Sequence, residues 1–360
     1  MILEISSKFH NYSVEVMDTL EQALLVASNN TNTFYLIDSN ILRLYPEPLK
    51  TIRNPSRIFS IEATEEQKSF EKLTPLFCWL LESGFKRNCT LVVMGGGVVQ
   101  DIGCFISSVL FRGVKWELIP TTLLAQCDSC IGSKSSINIE NYKNQIGTFY
   151  PPHKVYMVFG VLDTLPPDEI RSGLGEIIKL NLLAGELETT RLKENLQRFP
   201  EDKTVIQEMV IDALQIKKKF IEVDEFDQGI RNILNYGHTF GHAYESATDY
   251  GIPHGIAVTL GIATATFFSE QLGMLPQGYF DELNSFLYPY YHPYEQLLST
   301  TDSEVVLGAM KLDKKNTGIS INSILTRGTG AMEKVSLDMD SQVRPLSKDF
   351  LDKIDISNNS

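Results

Sequence analysis

Between residues 34 and 157, short apolar runs alternate with longer stretches of helical spacing, and this alternation restricts the fold more than any other feature. Phe34–Asp38, Arg57–Ile61, Thr90–Met94, Trp116–Pro120 and Val155–Val158 read as strands, with helical periodicity over Glu65–Leu81 and Val98–Leu110. Strands separated by helices must be joined by crossovers, which build a largely parallel sheet covered on both faces. After Pro166-Pro167 the texture changes. Asp168–Leu183, Lys203–Val223, Arg231–Ala247 and Ile256–Leu272 all favour helix, and Ile319–Val335 reads as a small hairpin around Gly328-Thr-Gly330. The expected fold is therefore an α/β N-terminal domain (1–162) with a mainly parallel, nucleotide-binding sheet, followed by a mostly α-helical domain (163–360).

A chain of 360 residues exceeds one ordinary core, which agrees with two domains. The formal net charge of −13 argues against a general nucleic-acid binder, although a local Lys/Arg cluster could still hold a small anion. Met1–His10 lacks a basic segment followed by an apolar run, and no apolar stretch approaches the ~18 residues of a membrane span. Neither a signal peptide nor a membrane is expected. Five irregularly spaced cysteines suggest reduced thiols in a cytoplasm.

Leu91 to Asp101 reads as a strand, three glycines (Gly95, Gly96, Gly97) and a helix start. Without Cβ atoms, this turn lets backbone N–H groups approach a pyrophosphate at the helix N-terminus; a tight connection with no ligand is the alternative. The spacing is not G-x-G-x-x-G, so the standard Rossmann fingerprint is absent. Beyond the next strand, Thr121, Thr122, Asp128 and Lys134 gather hydroxyls, a carboxylate and a cation, and Lys143-Asn144 adds more. Cys127-Asp-Ser-Cys130 formally reads C-x-x-C, but no second pair accompanies it in sequence, so chance explains it better than redox chemistry.

Asn235-Tyr-Gly-His-Thr-Phe-Gly-His242 places His238 and His242 four residues apart on one helix face, without the Glu of the H-E-x-x-H zincin motif. Gly237 and Gly241 suggest close packing or ligand approach. His254 follows, and Glu176 in Gly-Leu-Gly-Glu-Ile-Ile-Lys179 offers a carboxylate. A carboxylate with imidazoles suits a catalytic divalent ion; partly buried core histidines are the alternative.

Taken together, GGGVVQD (95–101), FRG (111–113), PTTLLAQCDSCIGSKSSIN (120–138), KNQIGTFYPP (143–152), GLGEIIK (173–179), DEFDQGIRNILNYGHTFGHA (224–243) and HG (254–255) resemble the 3-dehydroquinate synthases, members of the sugar phosphate cyclase superfamily. The resemblance implies cyclisation of 3-deoxy-D-arabino-heptulosonate 7-phosphate to 3-dehydroquinate with loss of phosphate. It implies catalytic NAD, a zinc ion (cobalt is an alternative) and a homodimer. NAD contacts would come from Asp38, Asn40, Glu65, Lys68, Gly95, Gly96, Gly97, Asp101, Thr121, Thr122, Lys143, Asp163 and Thr164. Glu176, His238 and His254 would hold the metal, leaving His242 as acid/base beside Asp227, Lys179, Arg231 and Asn235. Substrate would meet Arg112, reaching from a second protomer, together with Asp128, Lys134, Asn144, Lys179, Lys217, Arg231, Asn235, Lys314 and Lys315.

Some positions depart from the family pattern. Asp227 stands where Glu is usual, Ile256 where Glu is usual, Gln100 replaces a glycine, and 132–136 reads Gly-Ser-Lys-Ser-Ser instead of Gly-Gly-Lys-Thr-Gly. These leave room for a paralogous cyclase acting on an amino analogue or another sugar phosphate. A glycerol-dehydrogenase-like enzyme and a non-catalytic NAD-binding scaffold are the remaining alternatives.

Overall fold

The computed structural model describes residues 1–27, 32–140, 142–199, 201–202, 204–312 and 320–356. It divides into two compact units, Met1–Pro166 with Lys217–Phe226, and Pro167–Ile216 with Asp227–Ser360. The sequence reading cuts once, at 162/163. The units instead exchange the segment Lys217–Phe226, whose contacts lie with the first unit.

The first unit is built on strands β1 (Ile2–Ile5), β2 (Tyr12–Val16), β3 (Thr33–Asp38), β4 (Ile58–Ile61), β5 (Thr90–Gly95), β6 (Lys115–Pro120), β7 (Lys134–Ile139), β8 (Tyr142–Phe149) and β9 (Lys154–Met157). Seven of them form one sheet in the order β1-β2-β9-β6-β5-β3-β4, parallel except for the β1–β2 hairpin. Its helices are α1 (Leu20–Ala27), α2 (Ser39–Leu44), α3 (Pro46–Leu49), α4 (Thr74–Glu82) and α5 (Gly97–Val109). Tyr35, Ile37, Val92, Met94 and Ile119 bury one sheet face with Leu20 and Leu24 of α1. On the other face α5 comes so close that a Cβ on Gly103 would collide with Val93. Burial on both faces explains the near-continuous apolar strands.

One expectation fails here. Residues 65–73 form no α-helix, only a 3-10 turn at Phe70–Lys72, and Asn138 of β7 takes hydrogen bonds with the backbone before it: Asn138 N donates to Lys68 O (2.9 Å) and Asn138 Nδ2 to Glu65 O (3.3 Å). The helix begins only at Thr74-Pro75, where proline suits the first turn. Residues 134–149, to which the sequence reading assigns no strand, form the antiparallel hairpin β7–β8 with an irregularity between Ile137 and Ile139.

The second unit carries α6 (Pro167–Ala184), α7 (Glu186–Arg198), α8 (Val205–Val223, its last turns belonging to the first unit), α9 (His238–Ala247) and α10 (His254–Gln271). It continues with α11 (Tyr279–Tyr291), α12 (Glu295–Ser299), α13 (Ser303–Leu312), the antiparallel hairpin β10 (Ser320–Thr326) and β11 (Met332–Asp338), and α14 (Arg344–Ile356). The helix expected over 231–247 is broken: a 3-10 turn spans Ile230–Asn235, and Gly237 at φ 79° restarts the chain as α9. Among the described residues, no helix is long and apolar enough to cross a membrane.

Candidate active site

In the first unit, β3, β5 and β6 end side by side, with Ile37 opposite Met94 and Gly95 opposite Pro120. Asp38 closes β3 and caps α2 by accepting from Asn40 N at 2.9 Å; burial raises its carboxyl above the ordinary value. Gly95 closes β5, and Gly96 caps α5. A Cβ on Gly96 would press on Thr122 at 2.7 Å, whereas one on Gly97 would meet nothing within 4 Å. Thus Gly95 and Gly96 answer to internal packing, and Gly97 alone leaves room at the helix head.

Beside this turn lies a charged network. Lys68 Nζ stands 3.2 Å from Glu65 Oε1, 3.3 Å from Asp101 Oδ2 and 3.0 Å from Asn144 Oδ1, while Ser136 Oγ donates to Asp101 Oδ2 at 3.1 Å. Burial pushes the Asp101 carboxyl up despite Lys68; burial works against the Lys68 ammonium, yet Asp101 and Glu65 hold it above its ordinary value. Lys143 reaches to 4.0 Å of Glu65, and Thr164 shares a hydrogen bond with Tyr45 at 2.9 Å. Asp163 is exposed on a 3-10 turn next to Thr164.

Lys217 of α8 pairs with Asp128 and donates to its backbone carbonyl at 2.7 Å. Lys134 lies over the Phe149 ring at 5.9 Å. Arg112 is exposed on a turn where it and Phe111 both adopt positive φ (64° and 51°). Cys127 and Cys130 are buried thiols with no disulfide between them, and burial pushes the Cys130 thiol up to about 12. Lys314 and Lys315 lie outside the described residues.

In the second unit, glycines bring three helices into backbone contact. A Cβ on Gly175 of α6 would strike Gly255 O of α10, one on Gly255 would strike Ser172 O, and one on Gly237 would lie 2.6 Å from Val258 O. Gly241 is equally constrained, 2.9 Å from Ala257 O. Close packing, the first of the two sequence readings, therefore accounts for the glycines of the histidine helix. The crossing carries Glu176, His238 and His254 together, since each is the immediate neighbour of one of these glycines.

Glu176 Oε1 stands 3.2 Å from His254 Nε2 and 3.6 Å from His238 Nε2. His238, His242 and His254 each bring a ring nitrogen within 4.8 Å of the others. Both Glu176 oxygens are buried with no well-formed hydrogen bond, and Lys179, also buried, pairs with the carboxylate. Burial opposes the ionised form of Glu176, but Lys179 and His254 outweigh it and hold the carboxyl well below the usual range. Burial likewise opposes the His254 cation, but Glu245 and Glu176 overcome it, pushing the imidazole up to about 10. A buried carboxylate short of hydrogen bonds, ringed by imidazoles, fits a divalent ion.

Asp227, at φ 56°, accepts from Asn232 Nδ2 at 3.1 Å and so supports the turn that carries buried Arg231 and Asn235. Asn235 itself donates to Asn232 O at 3.0 Å. Ile256 is wholly buried.

Two family models, described as 3-dehydroquinate synthase N-terminal and 3-dehydroquinate synthase C-terminal, match residues 58–172 and 173–316. The chain belongs to the 3-dehydroquinate synthase family. A 3-dehydroquinate synthase of Alkaliphilus oremlandii is 34% identical over 313 residues, covering 86% of each chain. One from Thermoanaerobacter sp. is 35% identical and covers 91% of this chain and 93% of its own. Among solved structures, a 2-deoxy-scyllo-inosose synthase complexed with carbaglucose-6-phosphate, NAD+ and Co2+ superposes with a TM-score of 0.83, covering 97% of this chain and all of the other. At 20% identity that likeness speaks for the fold. One residue beside this cluster escaped the sequence reading: Glu245, whose carboxylate meets His254 Nδ1 at 3.2 Å. Its position seven residues after His238, on the same helix face, was the available signal.

Proposed function

We propose that the chain is a 3-dehydroquinate synthase, converting 3-deoxy-D-arabino-heptulosonate 7-phosphate into 3-dehydroquinate and phosphate with catalytic NAD and a divalent metal. The observation that carries this reading is the convergence of Glu176 with His238 and His254, in a chain whose relatives bear that name. Glu176, His238 and His254 would hold the metal; Gly97, Asp38, Asn40, Lys68, Asp101 and the Thr121-Thr122 corner would seat NAD at the strand ends. When bound, the metal acidifies a substrate hydroxyl and NAD reversibly accepts hydride.

The chain supplies the rest. His242 moves a proton at a ring nitrogen, and Lys179 places a buried positive charge beside the same cluster. Arg231 and Asn235, braced by Asp227 through Asn232, bind anionic and hydroxyl groups of the substrate. In the first unit Lys134, Lys217, Asp128 and Asn144 serve the same end, with Lys143 turned to the cofactor. The exposed, strained Arg112 turn supports a homodimer in which this residue serves the partner's substrate. Five free cysteines support a cytoplasmic location and, through aromatic amino acid biosynthesis, the shikimate pathway is the setting.

The test is direct. Purified protein with NAD and Zn2+ or Co2+ releases phosphate from the heptulosonate phosphate with no net NADH, loses this activity to a chelator and regains it with metal. No phosphate release would remove the assignment. Turnover of another sugar phosphate alone would move the chain to a paralogous cyclase, and net NADH release to a dehydrogenase.

A further inference from the structure

His238, His242 and Glu245 occupy positions i, i+4 and i+7 of α9 and so share one face. The two Glu245 oxygens lie 3.2 and 3.3 Å from His254 Nδ1, and the side chain is 13% exposed. The link between α9 and α10 turns back through Asp249 and Tyr250, at φ 48° and 61°, and Tyr250 N donates to Glu245 O at 2.7 Å. Glu245 therefore holds both ends of this turn: its backbone receives the start, and its side chain meets the histidine at the finish.

We infer that Glu245 is a positioning residue for the metal centre, holding the His254 imidazole with its Nδ1–H donated to the carboxylate so that the Nε2 lone pair faces Glu176 and His238. The inference rests on the metal reading given under the proposed function. A neutral imidazole has one donor and one acceptor nitrogen, so pinning the proton on Nδ1 fixes the ligating atom as Nε2. Nε2 is the atom that lies 3.2 Å from Glu176 Oε1. His238 has the same orientation from a different source, since its Nδ1 stands 3.3 Å from the backbone carbonyl of Tyr236. One ring is set by the main chain and the other by a side chain, and the second can be removed by substitution.

Carboxylate support of a ligating histidine is typically worth about 10–100-fold in metal affinity. Zn2+ affinity of the full-length chain, read by chelator competition, is expected to fall by about that factor in Glu245→Ala. Glu245→Gln, which keeps a neutral acceptor of the same shape, falls between the alanine variant and the parent, while NAD affinity stays unchanged in both. If the alanine variant does not fold, the isosteric glutamine variant decides alone. Wild-type Zn2+ affinity in the folded variants, with only a lower melting temperature, would overturn the inference and leave the functional proposal standing. A parent protein that binds no divalent metal would overturn both.

Discussion

Each of the three residues proposed to hold a metal stands beside a glycine whose missing side chain lets two helices touch: Gly175 before Glu176, Gly237 before His238, Gly255 after His254. Ligand position is thus set by backbone contact, which deforms less than side-chain packing. Gly255→Ala should therefore drive α10 off Ser172 of α6, costing about 3 kcal/mol or more as overpacking, and thermal unfolding with a metal titration will register both losses. His242 poses a different question, since three imidazoles share one neighbourhood. His242→Asn should lower kcat by about 10²–10⁴-fold while the metal content of the purified protein stays at the parental level. A loss of metal in that variant would make His242 a ligand instead.

At the scale of elements, the glycine turn at 95–97 separates packing from the proposed cofactor contact. Gly95→Ala would crowd Val99 and destabilise the strand-to-helix corner. Gly97→Ala enters open space and should leave stability unchanged or raise it by up to about 1 kcal/mol, yet weaken NAD binding; fluorescence titration beside a denaturant series separates the two. The hairpin β1–β2 and the segment leading into β9 meet through His10 and His153, stacked at 4.0 Å. Burial, then His10 and Lys115, lowers the His153 pKa to about 4, and burial lowers that of His10. The unfolded chain therefore takes up protons that the folded chain refuses, so stability should decline as pH falls through about 6.5 and level off below about 4. Urea midpoints of the parent and His153→Phe should diverge across that window. The buried parallel strands were legible because they read as apolar runs, and the glycine triplet because close packing at Gly95 and Gly96 excludes a side chain. The hairpin β7–β8 was not, because Lys134-Ser-Ser-Ile-Asn-Ile139 is anchored by Lys68 and Asp101, far away in sequence. The break at Gly237 escaped for a similar reason: contact with α10 accompanies its left-handed backbone there.

For the whole molecule, two organisational levels were readable from the chain and one was not. The change from alternating strands to helices marks the passage between units, and the ordered motifs mark the family. Nothing in the helical run 205–223 announces that its last turns belong elsewhere, because a helix keeps its periodicity whatever it packs against. Lys217 pairs with Asp128, and Glu225 accepts from Ser7 Oγ and Lys8 N at 2.6 Å and from Ser133 Oγ at 3.0 Å, all within the first unit. A fragment ending at Pro166 should consequently be less stable than the same fragment supplied with a 217–226 peptide, as judged by protease resistance. On the ribosome, the first unit has to wait: its strands emerge early, but the piece that ties its N-terminal residues to the loop before β7 is translated only after the first two helices of the second, so the two halves cannot mature strictly one after the other.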